Sequence, residues 1–119
     1  MIGSLVGAVI WTQNLNNLLP FYCNILKLTP HSKSANFVSF KWGNVRLAIG
    51  KHSLVKGNSN EPFRVMINLR VDDIHQEYKA LKAKGVKFIR PPELEQWGGW
   101  VCTFSDPEDN TIQLLQPPV

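Results

Sequence analysis

The stretch "RVMINLRVDD", residues 64–73, decides the fold. Its residues alternate with period two: Val65, Ile67, Leu69 and Val71 fall on one side, and Met66, Asn68 and Arg70 on the other. That is the pattern of a strand, residues 63–71, with one buried face. Removing a large aliphatic side chain from water gains about 1.5–3 kcal/mol, so the aliphatic face packs against a helix. The face carrying Asn68 and Arg70 then meets water or a ligand. The segment Asp72 to Lys84 reads as the helix that follows, stopped by Gly85.

Working outward, residues 86–90, 100–105 and 111–116 read as further strands. The last is fed by "FSDPEDNTIQLLQ", residues 104–116, in which Asp106, Pro107, Asp109 and Asn110 are turn formers. Beyond that turn Ile112 and Leu114 lie on one face, with Thr111 and Gln113 on the other. The same order runs upstream: residues 4–13 as a strand, Asn14 to about Lys27 as a helix, and 36–41 and 45–49 as strands. Matching Asn14 Leu15 with Asp73 Ile74 gives an offset of 59 residues, about half the chain. The polar loop "GKHSLVKGNSNEP" separates the halves. In "WGNVRLAIG" the alternation sends Val45, Leu47 and Ile49 toward the helix and leaves Arg46 and Ala48 opposite.

A length of 119 residues with 44% hydrophobic residues fits one domain with a real core. Cys23 and Cys102 stand far apart without CxxC spacing, so they support neither a disulfide framework nor a thiolate metal site. The net charge of +4 favours anionic partners. Lys and Arg are nevertheless scattered from Lys27 to Arg90 without a run, which argues against nucleic acid. The apolar start "MIGSLVGAVIW" lacks a basic leader, a cleavage signature and the length of a membrane span. It reads as a first strand, and the protein as cytoplasmic.

A βαβββ unit used twice, with "LPFYCNIL" on the first helix, "RVDDIHQEYKALKAKGVKF" opening the second unit and "FSDPEDNTIQLLQ" closing it, resembles the vicinal oxygen chelate superfamily, the glyoxalase, bleomycin-resistance and extradiol-dioxygenase fold. The resemblance implies an α+β fold: two βαβββ modules forming a cupped mixed sheet with helices on its outer face. Module one would cover about residues 1–50, a loop 51–61 and module two about 62–119, within a single domain. It also implies a small-molecule ligand and a homodimer. The chain departs from the family at Asp109, which fills a turn position usually held by Gly, and at Lys27, which replaces the Gly of Leu-Gly-Leu after the first helix.

Carried over position by position, the family's metal ligands fall on Gly7, Met66, Arg46 (with Ala48 as the neighbouring candidate) and Gln113. None is His, Asp or Glu, whereas a catalytic divalent ion needs about three such donors. No metal or other cofactor is expected. His31, His52 and His75 show no paired spacing, and Glu93 and Glu95 read as solvated charge in a Pro-rich loop.

Arg46 and Arg70 with Asn68 and Gln113 would suit a carboxylate or phosphate, because guanidinium forks donate paired charge-assisted hydrogen bonds. Met66, Trp11 on the parity of Gly7, and Trp97 and Trp100 in "EQWGGW" would complete a wall for a flat ligand. Trp42 reads as a packing residue. The favoured function is metal-independent capture of an anionic or planar aromatic molecule, with no catalytic residue assigned. A lyase, isomerase or dioxygenase-like enzyme of the same superfamily and a structural or partner-binding module are the alternatives.

Overall fold

Alternating residues make β1 (Gly7–Thr12), which runs at the edge of its sheet. The computed structural model describes residues 1–119, and β1 opens the first of two compact units, Met1–Gly57 and Asn58–Val119. Thr12 Oγ1 accepts a hydrogen bond from Asn14 N–H at 3.1 Å. The Asn14 side chain in turn accepts from Asn16 N–H at 3.0 Å, capping α1 (Leu15–Pro20). Pro20 has no N–H for the α ladder and its ring crowds the preceding turn. From there the chain continues as a wider π turn, Phe21–Ile25, in which Leu26 N–H donates to the Phe21 carbonyl at 2.9 Å.

β2 (Ser32–Lys33), β3 (Phe37–Trp42) and β4 (Val45–Lys51) complete a sheet of order β1-β4-β3-β2, with β4 parallel to β1 and antiparallel to β3. Gly43, at φ +57°, permits the two-residue turn between β3 and β4. The register sets Val38 opposite Ile49 and Phe40 opposite Leu47, with Ile10 beside Ile49. All five are buried, as are Leu15, Leu18, Phe21 and Tyr22 of the helical segment packed over them.

The second unit repeats the plan. After β5 (Met66–Arg70), Asp73 caps α2 (Ile74–Ala83) by accepting from Gln76 N–H at 3.2 Å. Gln116 Oε1 accepts from Ile74 N–H at 2.8 Å, which satisfies another free amide of that helix end. Gly85, at φ +88°, closes α2: Val86 N–H donates to the Leu81 carbonyl and Gly85 N–H to that of Lys82. β6 (Phe88–Leu94), β7 (Trp100–Ser105) and β8 (Thr111–Gln116) give the order β5-β8-β7-β6. Ile112, Phe104, Leu114 and Cys102 form the buried side under Ile74 and Leu81.

The fold is therefore α+β, with two βαβββ modules, a mixed sheet in each and a helix on one face of each sheet. Asn14 and Asp73, the residues that set the 59-residue offset, are both helix caps. The boundaries differ from the sequence reading most at four elements. β1 starts at Gly7 rather than residue 4. β5 starts at Met66 rather than residue 63, because Arg64 is held in a turn by Glu61 through both backbone and side chain. The short β2 carries no alternation long enough to read. β6 runs through Pro91 and Pro92 to Leu94, past the expected end at residue 90, since an edge strand tolerates missing N–H groups and its register shifts absorb the irregularity. No helix is long and apolar enough to cross a membrane.

Candidate functional site

Each sheet has a face turned away from its helix, and strand register fixes what that face displays. In the first unit three rows cross the sheet: Gly7, Arg46 and Lys41; Val9, Ala48 and Ser39; Trp11, Gly50 and Phe37. Trp11 is 41% exposed and Phe37 38%, so the aromatic row is open to solvent. Their ring centroids lie 6.0 Å apart. A Cβ added to Gly50 would come within 2.6 Å of Trp11 and 2.7 Å of Phe37, so the missing side chain is what lets the rings settle onto the strand. His52 sets its ring edgewise to Trp11 at 5.3 Å, and its Nδ1 accepts from Leu54 N–H. In the middle row the Ser39 hydroxyl lies 2.5 Å from that of Ser32.

The electrostatics of this face are one-sided. Residues 1–57 contain six Lys and Arg and no Asp or Glu; all nine carboxylates lie in the second unit, with seven Lys and Arg. The net +4 thus divides into +6 and −2. Lys41 sits directly opposite Arg46 across the β3–β4 ladder, both exposed. Like charges so placed repel unless an anion joins them.

In the second unit the corresponding face carries Met66, Thr111 and Ser105; Asn68, Gln113, Thr103 and Arg90; and Arg70, Leu115, Val101 and Glu93. Gln113 Nε2 donates to Thr103 Oγ1 at 3.0 Å. The Arg90 guanidinium donates to Glu93 and, at 2.6 Å, to Glu95, and these hydrogen bonds raise its pKa further. Exposed Arg70 has Asp72 3.9 Å away. Here the cations have carboxylate partners.

The residues singled out in the sequence divide accordingly. Arg46 and Trp11 share the open face of the first sheet, and Met66, Asn68, Arg70 and Gln113 that of the second. Trp97, 53% exposed, folds its ring over Gly99 in the β6–β7 loop, where any Cβ would collide with it. Trp100 is not brought to the open face: it pairs with Gln116 on the helix side and meets His75 edge-on at 4.6 Å. Trp42 is 46% exposed at the hairpin tip rather than packed. Glu93 lies within β6, not in a loop, and with Glu95 it holds Arg90 rather than standing as free solvated charge.

The ladder also resolves the choice between Arg46 and Ala48. Gly7 pairs with Arg46 where Met66 pairs with Thr111, and Val9 with Ala48 where Asn68 pairs with Gln113. Ala48 is therefore the counterpart of Gln113, with Arg46 one row away on the same face. A metal ion does not fit these positions. They offer a hydrogen, a methyl, a thioether and a neutral amide, and no three His, Cys, Asp or Glu side chains gather in the chain. A Cβ at Gly7 would strike the Arg46 carbonyl, so this backbone leaves no room for a ligand side chain there.

Lys41, Phe37 and Arg90 lie on these faces but are not among the residues that the sequence singles out. Lys41 and Phe37 are nevertheless legible there: the Gly43-Asn44 turn pins the hairpin, and counting back from Arg46 gives their parity. The lack of any carboxylate before Glu61 is a matter of counting. Arg90 is hidden by the two prolines after it.

A profile described as "Glyoxalase/Bleomycin resistance protein/Dioxygenase superfamily" matches residues 4–114. A bleomycin resistance protein of Klebsiella pneumoniae is 33% identical over 55 residues, covering 40% of this chain and 44% of that protein. The chain thus matches less than half of that relative's length. A solved member of the glyoxalase/bleomycin resistance protein/dioxygenase superfamily from Sphaerobacter thermophilus superposes with a TM-score of 0.74 at 26% identity, covering 97% of this chain and 98% of that one. A glyoxalase/bleomycin resistance protein/dioxygenase from Nocardioides gives 0.75 at 20% identity, covering 99% and 85%, a likeness of fold alone.

Proposed function

Because the chain belongs to the glyoxalase/bleomycin resistance protein/dioxygenase superfamily, yet offers no donor set at that fold's ligand positions, we propose that it is a metal-independent protein that captures an anionic or planar aromatic small molecule, working as a homodimer. The observation that carries this reading is that the faces away from the helices display cations, amides and aromatic rings, while the fold's ligand positions carry no set of metal donors. In the first module Arg46 would neutralise such a guest and Trp11 would supply polarizable contact area; in the second Arg70 would neutralise it, Asn68 and Gln113 would hydrogen-bond it, and Met66 and Trp97 would supply the contact area. A ligand bound this way is held, not transformed. No general base and no metal-bound water is part of the scheme.

The test is a titration with 8-anilinonaphthalene-1-sulfonate and 2-naphthoate, followed by tryptophan emission with EDTA present. Saturable quenching at one guest per chain, unchanged by the chelator and weakened at least tenfold by Arg46→Ala, is the expected result. A silent emission spectrum, or a response that needs an added divalent metal, would refute the reading.

A further inference from the structure

The first module holds two unlike anchors at opposite ends of one sheet face, and their spacing defines a shape of guest. At one end Lys41 and Arg46 face each other across the ladder with no carboxylate anywhere in their module. At the other, Trp11 and Phe37 lie open over Gly50. Between them runs the row Val9, Ala48 and Ser39, in which Ala48 and Ser39 are buried and Val9, 44% exposed, offers the accessible surface. Arg46 and Gly50 are four residues apart on β4, so the two anchors stand roughly 13 Å apart along the strand.

We propose that this face binds an elongated phosphate monoester: a doubly charged head held by Lys41 and Arg46, a slender linker over Val9, and a flat ring against Trp11 and Phe37. Two adjacent uncompensated cations favour a group with nearly two negative charges, which phosphate monoesters carry at neutral pH and carboxylates do not. The row between the anchors offers aliphatic contact through Val9 but no aromatic contact, so a ring fixed directly to the phosphate reaches one anchor only. In the second module Arg90 is committed to Glu93 and Glu95, and Arg70 lies beside Asp72, so the head belongs to the first. The inference rests on the capture reading and narrows it to one module and one class of guest.

Calorimetry with three probes tests it: 6-(2-naphthyl)hexyl phosphate, 2-naphthyl phosphate, and the neutral 6-(2-naphthyl)hexan-1-ol. The long phosphate is expected to bind at least tenfold more tightly than either other probe. Lys41→Gln, at an exposed position and checked for an unchanged Tm, should remove that advantage over the alcohol without weakening the alcohol itself. Trp11→Leu should weaken the long phosphate and the alcohol together. Equal affinity for long and short phosphates, or indifference to Lys41→Gln, overturns this inference while leaving capture of anionic aromatics standing. Failure of every probe, the naphthoate and anilinonaphthalene sulfonate included, overturns both.

Discussion

Lys27 occupies left-handed backbone, φ +61°, immediately after the π turn, where the second module closes its helix with Gly85 at φ +88°. A side chain there sets Cβ against the neighbouring backbone at a cost of roughly 1 kcal/mol, which glycine avoids. Lys27→Gly should therefore raise unfolding stability in urea by about 1 kcal/mol, while Lys27→Ala, which removes the same charge but keeps Cβ, should not. Equal effects of the two would assign the change to charge. Asp109, the other residue marked in the sequence as standing where glycine is usual, lies at φ +63°. Its carboxylate accepts from Asn58 Nδ2 at 3.0 Å, and Asp tolerates this region better than Lys does. Both departures are visible as letters; that they mark the same backbone geometry is not.

At the scale of elements, the β7–β8 turn depends on one buried carboxylate. Asp106 is 4% exposed, and its Oδ1 accepts from Glu108 N–H at 2.8 Å and Asn110 N–H at 2.9 Å, while Oδ2 accepts from Asn110 Nδ2. Removing the acceptor strands donors that water does not readily reach, so Asp106→Ala should destabilise the protein by about 2–3 kcal/mol. A loss below 0.5 kcal/mol by chemical denaturation would show that the turn holds itself. This turn and the strands beside it are legible in the sequence because turn formers and period-two alternation are local signals. The elements that escape such a reading are those whose cause lies elsewhere in the sheet. β2 exists only as a partner for β3, and β6 survives its prolines only because it is an edge. The site follows the same division: alternation alone puts Arg46 and Trp11 on one face, whereas Lys41 needs the hairpin register. The loop before Trp100 suggests a cavity wall, although its parity with the apolar Cys102 points to the helix side.

For the whole molecule, stability is tied to the protonation of a strand thiol. Burial pushes the pKa of Cys102 from 9.0 up to about 11, partly offset by a hydrogen bond from the Leu114 backbone and by the charge of Arg90. Below pH 9 the thiol is neutral in both folded and unfolded chains, and its contribution is fully present. As pH rises from 9 to 11 the unfolded chain releases a proton that the folded chain keeps, so stability falls by on the order of 2 kcal/mol. Cys102→Ala should flatten the urea-derived stability profile over that window, and parallel profiles for the two proteins would exclude the thiol as the cause. Charge is distributed as unevenly as polarity: a composition that looks mildly basic overall is a wholly cationic half joined to a slightly acidic one.

The crowding of Gly7 against the Arg46 carbonyl bears on redesign as well as on chemistry. Grafting an imidazole onto that site by substitution alone would produce a clash, not a coordination sphere. To carry a coordinating side chain at position 7, β1 would have to shift relative to β4.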